Sequence, residues 1–233
     1  MTPEHMRRLL DAQKAALLAE GRVAASTRID RLQRLAALLR ENQSVLLETL
    51  SADFGHRSID HARLTEIAVP IAEIRQTCRQ VERWMKDEKR PLPWLLSLLG
   101  ARAWLRFQPL GSIGVIVPWN FPLYLAFGPL IGILAAGNRA MIKPSEFTPR
   151  LSAELADIAP RYFDETEIAV VTGGMEVGAA FAELPFDHLV FTGAGAVAIH
   201  VMAAAAKNLV PVTLELGGKS PVIVSRDADL DEA

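Results

Sequence analysis

The chain has 233 residues, 50% of them hydrophobic and 22% charged, with a formal charge of -2, five histidines and one cysteine. Such a chain buries one good core with room for a small appendage, and its composition excludes disordered, collagen-like and disulfide-built classes. The near-neutral charge gives no basis for attraction to nucleic acid or to an anionic membrane surface.

The N-terminal residues Glu4, His5, Arg7, Arg8 and Asp11 lack the apolar run of a secretory signal. Cys78 has no second cysteine to pair with, which suits a reducing compartment, so a cytoplasmic protein is expected. The first ninety or so residues read as helical. Leu32, Leu35, Ala36 and Leu39, then Val45, Leu46 and Leu50, recur at three- and four-residue spacing, with Ser26 or Thr27 as the expected cap. A second helical stretch runs from about Ile59 to Trp84, bent near Pro70. The polar run Lys86 to Arg90, followed by Pro91 and Pro93, ends it. Residues 91 to 108, with Trp94, Leu95, Leu96 and Trp104, read as an exposed apolar arm of the kind that contacts another subunit.

No charged residue occurs from Phe107 to Asn138, a length that could span a bilayer, but Pro109, Pro118, Pro122 and Pro129 argue instead for a buried strand, loop and helix. From Gly111 onward, short β-branched runs alternate with Ala- and Leu-rich runs, the βαβ signature of a parallel sheet. Strands are expected at 113–117, 141–143, 167–171, 188–191 and 212–214, and helices at 123–136, 149–158, 175–184 and 195–206. The predicted class is α/β, a doubly wound, Rossmann-like parallel sheet with N-terminal helices.

Four motifs fall at predicted strand ends. Gly193-Ala194-Gly195-Ala196-Val197-Ala198, with Glu215 about twenty residues on, satisfies a dinucleotide fingerprint: glycines for close backbone approach, a helix N-terminus for the pyrophosphate, and a carboxylate for a ribose. Three strand–helix pairs precede it, however, whereas that fingerprint usually opens its domain. Asn120, between Pro118 and Pro122, is a rigidly placed amide donor suited to an oxyanion, or a simple turn residue. Lys143-Pro144-Ser145-Glu146 can hold a ribose or phosphate, or can be a solvated strand end. Glu215, in Leu214-Glu215-Leu216-Gly217-Gly218-Lys219, is expected inside an apolar strand end, where a raised pKa would suit a general base. The histidines lack metal-ligand spacing, so no metal is expected, and Cys78 reads as a small core residue.

In this order and spacing, Pro118 to Pro122, Lys143 to Glu146, Phe191-Thr192-Gly193 and Leu214 to Lys219 resemble the aldehyde dehydrogenase superfamily. Pro122 to Pro129, Ala204 to Pro221 and Asp53-Phe54-Gly55-His56-Arg57-Ser58 are most similar to its coniferyl aldehyde dehydrogenase branch. The resemblance covers nearly the whole chain but only the N-terminal half of a full family member.

That resemblance implies attack of a cysteine thiolate on an aldehyde, hydride transfer to NAD or NADP, and hydrolysis of a thioester. It implies that Asn120 shares the oxyanion, that Glu215 activates water rather than binding a ribose, and that Lys143 and Glu146 face the adenosine ribose, Glu146 favouring NAD. Val117, Pro118, Trp119, Ser145, Phe191, Thr192, Gly193, Ala194, Val197, Leu216 and Gly217 are the further cofactor-binding residues it implies. Residues 1–83 become the helical part of the cofactor domain, 84–108 a bridging arm used in a homodimer, 109–214 the cofactor-binding sheet, and 215–233 the start of a catalytic domain.

The family's nucleophile lies some tens of residues after the base, so this chain by itself is expected to be inactive. Ala194, Gly195 and Ala198 stand where the family usually has Ser, Thr and Gly, which removes a phosphate donor of about 1 kcal/mol. The alternatives are a non-catalytic relative that binds nucleotide or pairs with a full-length subunit, and a Rossmann reductase using residues 193 to 215, which leaves Asn120 and Lys143 without roles.

Overall fold

The computed structural model describes residues 1–55 and 57–230; His56 of the Asp53–Ser58 motif lies outside them. Three helices open the chain, α1 (Pro3–Glu20), α2 (Ala25–Glu41) and α3 (Gln43–Phe54). A short α4 (Ile59–Ala62) then runs through a π-helical segment (Arg63–Ala68) into α5 (Val69–Cys78), and α6 (Val81–Trp84) closes the group. The interruption or bend expected near Pro70 meets a change of helix type: the π-helical segment ends at Ala68, and Pro70 takes an early position of α5.

The expected cap at Ser26 or Thr27 is corrected. Helix α2 begins at Ala25 behind Ala24, with no side-chain cap. Its start is held by tertiary contacts instead: Arg28 is buried and donates to Val23 O at 3.2 Å and to Ala135 O at 3.1 Å.

After α6 comes a small antiparallel ribbon, β1 (Glu88–Arg90) with β2 (Ala103–Leu105), carrying α7 (Trp94–Leu98) between its strands. The sequence pattern does not reveal these strands, because three-residue segments are too short to show a period. Trp94, Leu98 and Leu99 on this arm are 75–76% exposed.

The rest alternates strand and helix: β3 (Ser112–Ile116), α8 (Pro122–Ala135), β4 (Arg139–Lys143), α9 (Pro149–Ile158), β5 (Ile168–Val170), α10 (Met175–Ala182), β6 (His188–Gly193), α11 (Gly195–Ala206) and β7 (Val212–Leu216). All pairings are parallel, in the order β5-β4-β3-β6-β7. β6 and β7 run two residues further than expected, because Thr192 pairs with Glu215 and Gly193 with Leu216. The uncharged stretch from Phe107 to Asn138 is thus mainly a strand and a helix, and among the described residues no helix is long and apolar enough to cross a membrane.

The central strands of the sheet are covered on both faces. Ile113, Val115, Ala140 and Ile142 face one core with α2, α3, α8 and α9. Met141, Leu189 and Phe191 face a second core with α1, α10 and α11. The alternation of Ala140, Met141 and Ile142 between the two cores is the period-two signature of a strand covered on both sides. Gly114 makes that covering possible: a Cβ there would sit 2.7 Å from the side chains of Leu189 and Phe186. Buried Gln13 ties α1 to the sheet by donating to Ala140 O at 2.8 Å and accepting from the Ser112 hydroxyl.

Candidate active site

Parallel strands bring every strand's carboxyl end to one edge. The helix after β3 lies in the first core and the helix after β6 in the second, so the chain diverges between these neighbouring strands. A crevice is expected where the order reverses. A cleft of about 970 Å³ opens there. It brings together Pro118, Trp119 and Asn120 from the end of β3, Thr192, Gly193 and Ala194 from the end of β6, and Glu215, Leu216 and Gly217 from the end of β7.

The turn after β3 is held from outside. Asn120 is exposed, and its carbonyl accepts from Arg57 Nη1 at 2.6 Å. The Arg57 guanidinium lies 4.8 Å from the Phe54 ring centroid and 4.7 Å from that of Phe121, and its Nη2 is 2.8 Å from Glu66 Oε1. Glu66, fully buried, accepts from Leu123 N at 2.8 Å and so stands at the N-terminus of α8, where a carboxylate is favoured. Burial pushes the Glu66 carboxyl up, against the opposing charge of Arg57 and the amides of Leu123 and Tyr124, and the net direction is upward. The sequence motif places Arg57 next to Ser58 without giving it a role. Nothing in the local pattern marks Glu66, because its partners lie far along the chain.

The turn after β6 is held by its backbone. Ala194 caps α11 with no side-chain hydrogen bond, and a Cβ on Gly195 would meet nothing within 4 Å. The first amides of α11 therefore open into the cleft without a side chain in front of them.

On β6, Leu189 and Phe191 point into the core under α11, so Val190 and Thr192 face the cleft. Glu215, paired with Thr192, faces the same way. Two expectations are corrected here. The Phe191 ring does not line the cleft, because the strand alternation buries it. Glu215 is exposed rather than enclosed: among the described residues β7 is the edge strand of the sheet, paired only with β6. Val117 is likewise buried, just past the end of β3, and neither it nor the 49%-exposed Val197 is among the residues that line the cleft.

Pro144, Ser145 and Glu146, directly after Lys143, line a second hollow of about 500 Å³ between the turns after β4 and β5. The solvated-strand-end reading of Lys143 does not hold. Its side chain is buried, donating to Pro144 O at 2.7 Å and to Glu146 Oε2 at 3.1 Å. Burial raises the Glu146 carboxyl, but its own backbone amide and Lys143 outweigh that and hold it below the usual carboxylate range. Ser145 is also buried, its hydroxyl accepting from Phe147 N at 3.2 Å.

Thr172, Gly173 and Gly174, absent from the expectations, form the opposite wall of this hollow. Gly173 has φ +152°, and a Cβ there would stand 2.4 Å from Val177. A paired glycine shortly after a strand was the available signal.

Cys78 is half-buried in α5 and does not line the cleft, and burial pushes its thiol up. No group of three potential metal ligands occurs among the described residues.

All 233 residues match the aldehyde dehydrogenase family. The chain is 55% identical to a coniferyl aldehyde dehydrogenase of a Pseudomonas species over 229 residues, covering 97% of this chain and 46% of that one. It is 42% identical to aldehyde dehydrogenase family 3 member B1 of Mus musculus over 211 residues, 90% of this chain and 44% of that one. The chain thus spans about half the length of the curated relatives it matches. Among solved structures, a substrate-bound Staphylococcus aureus AldH superposes with a TM-score of 0.86 at 36% identity, over 95% of this chain and 48% of that one. An NAD+ complex of an aldehyde dehydrogenase from Bacillus cereus gives 0.82 at 27% identity, over 99% of this chain and 46% of that one.

Proposed function

The chain belongs to the aldehyde dehydrogenase family, and from that premise we propose that it forms the cofactor-binding half of an NAD(P)-dependent enzyme oxidising an aldehyde to its acid. The observation that carries this reading is the convergence of Asn120, the open α11 terminus and Glu215 on one cleft from three separate strand ends. A Rossmann reductase built on residues 193 to 215 loses its basis with the family match, and Glu215 is not needed as a ribose acceptor.

The residues fit a dinucleotide. The uncapped amides of α11 and the open space at Gly195 suit a pyrophosphate, even with Ala194 in place of a hydroxyl residue. Lys143, Ser145 and Glu146 suit the adenosine ribose, and the negative charge of Glu146 opposes a 2′-phosphate and so favours NAD. When bound, the nicotinamide supplies the hydride acceptor. Pro118, Trp119, Thr192 and Gly193 orient it, with Leu216 and Gly217 closing the far side.

Asn120 donates to the developing oxyanion, its turn fixed by Arg57. Glu215 takes a proton from the water that releases the acid. The thiolate comes from the part of the relatives' length that this chain does not span, so the chain alone binds cofactor without turnover. The relatives named coniferyl aldehyde dehydrogenase support coniferyl aldehyde, or another aromatic or aliphatic aldehyde, as the substrate. The exposed Trp94, Leu98 and Leu99 on the arm of residues 84–108 support a homodimer contact, and the lone Cys78 a cytoplasmic location.

Calorimetric titration of the chain with NAD and NADP tests the reading. NAD is expected to bind, more tightly than NADP, and Lys143→Ala to weaken it by about tenfold, the loss of one charged hydrogen bond. Binding of neither cofactor at millimolar concentration would overturn it.

A further inference from the structure

The edge of the sheet opposite the cleft carries a set of charges that the chemistry above does not use. Arg28 of α2 is 6% exposed, and its hydrogen bonds go to carbonyls alone: Nε donates to Val23 O at 3.2 Å and Nη1 to Ala135 O at 3.1 Å. Its Nη2 has no hydrogen-bond partner among the described residues, and no carboxylate there pairs with the group. Gly137 makes room for the guanidinium, since a Cβ there would stand 2.9 Å from Arg28 Cζ. Burial lowers the Arg28 pKa, and the charges of Arg22 and Arg31 lower it further against that of Glu20. A guanidinium nevertheless keeps its charge in a protein, so this burial destabilises the fold unless an anion joins it.

Arg28 lines two adjoining hollows, which share Met85, Phe107 and Gln108. The narrower, of about 270 Å³, adds Arg22 and Arg106, and the wider, of about 660 Å³, adds Arg83, Trp84 and Lys86. The two acids on the wider hollow are already engaged: Asp87 accepts from Arg106 and Glu88 from Arg90, each at 2.7 Å. Arg22, Arg28, Arg83 and Lys86 are therefore left without an acid partner among the described residues, around one continuous space. Pro109 precedes β3, and Ala135 to Gly137 precede β4, so this space lies at the amino ends of the strands. The cofactor cleft lies at their carboxyl ends.

We propose that the two hollows bind a small phosphorylated molecule, its phosphoryl group held by Arg22 and Arg28 and its apolar part lying against Met85, Phe107 and Trp84. A phosphoryl dianion meets several cations at once, and its oxygens match the planar fork of a guanidinium. Trp84 and Phe107, 48% and 60% exposed, supply the apolar surface beside it. Because the two sites lie at opposite edges, binding here does not depend on the cofactor reading.

The test is calorimetric titration of the 233-residue chain with phenyl phosphate and with inorganic phosphate, each without and with saturating NAD. Mildly alkaline buffer keeps both anions doubly charged. Phenyl phosphate is expected to bind more tightly than inorganic phosphate, with an affinity that NAD leaves unchanged. Arg22 makes no hydrogen bond or ion pair among the described residues and is exposed, so its replacement removes no structural contact. Arg22→Ala should weaken phenyl phosphate by about tenfold, as the loss of one charged hydrogen bond requires, and Arg22→Glu should weaken it further.

No binding of phenyl phosphate at millimolar concentration, or an affinity unchanged in both Arg22 variants, overturns the inference. Displacement by NAD also overturns it, because the anion would then be occupying the α11 terminus. Equal affinity for the two anions removes the organic ligand. Sedimentation with phosphatidic acid vesicles in the absence of any binding of the soluble ester would make the ligand a lipid headgroup, against the proposal. If NAD itself fails to bind, the cofactor reading falls and the Arg22 comparison still decides this one.

Discussion

The turn after β3 and the turn after β6 flank the same cleft, yet the first is fixed by side chains from distant elements and the second by little more than its own backbone. Around Asn120, a buried carboxylate, a guanidinium and two aromatic rings come from α3, the segment after it, the π-helical turn and the start of α8. Around Ala194 there is a helix terminus with no side-chain cap. The difference matches what each turn is proposed to do. A hydrogen-bond donor to a developing charge works only if it is already in place, whereas a ligand with its own charged oxygens can organise open amides as it binds.

Breaking the fixed turn should have the largest effect. Arg57→Ala leaves Glu66 buried without its partner and is expected to cost about 3–5 kcal/mol in urea unfolding. Replacing both at once, Arg57→Met with Glu66→Leu, should cost far less, because no unpaired charge remains. A single-variant loss below about 1 kcal/mol, the scale of an exposed pair, would show that the turn is not held from outside.

The pH dependence of stability distinguishes this pair from the ionic network on the far side of the fold. Glu167 is half-buried; burial raises its carboxyl, but Arg34 and Arg31 override that and bring it to about 2. Its stabilisation is fully present above the unfolded carboxylate value and is lost as pH falls toward about 2. Across those pKa values it is on the order of 3 kcal/mol. Glu66 has the opposite sign. Its folded pKa lies above the unfolded value, so the native chain holds the extra proton and stability declines as pH rises through that window. The advantage of the unaltered chain over Glu167→Gln should therefore shrink on acidification, while its difference from Glu66→Gln should move against it on alkalinisation. Parallel pH profiles for the two variants would contradict the assignment.

Two glycines sharpen the picture of the second turn. A Cβ on Gly193 would lie 2.6 Å from the buried Phe191 ring, so Gly193→Ala is expected to cost about 1–3 kcal/mol by overpacking. Gly195→Ala, two residues on, meets open space and should change stability by no more than about 0.5 kcal/mol. Thermal melts of the pair would show whether the turn is constrained at its strand side alone. Ala194→Ser supplies the missing cap and should add about 0.5–1 kcal/mol. It should also tighten NAD binding if the α11 terminus holds the pyrophosphate, and unchanged affinity would move the phosphate elsewhere.

Much of the sheet was legible from local pattern. The helices at 149–158 and 195–206 begin and end where expected, because Pro149 fixes an N-terminus and the Gly195 turn opens the other. The residues of three turns that meet in the cleft were also legible, since each sits where a β-branched run ends at a proline or glycine. The caps of α2 were not, because Arg28 holds that end through Ala135, more than a hundred residues away.

By itself the sequence determined the parallel α/β class, the strand order's raw material and the identity of Asn120, Lys143 and Glu215 as groups at strand ends. Hydrophobic periodicity and turn chemistry are local properties, and they suffice for that. Only the tertiary structure decided that Phe191 is core while Thr192 faces the cleft, that Lys143 is buried, and that Glu66 and Arg57 hold the Asn120 turn from outside. Those outcomes depend on which distant element covers each face. Burial and pairing across a fold are set by packing, which no window along the chain contains.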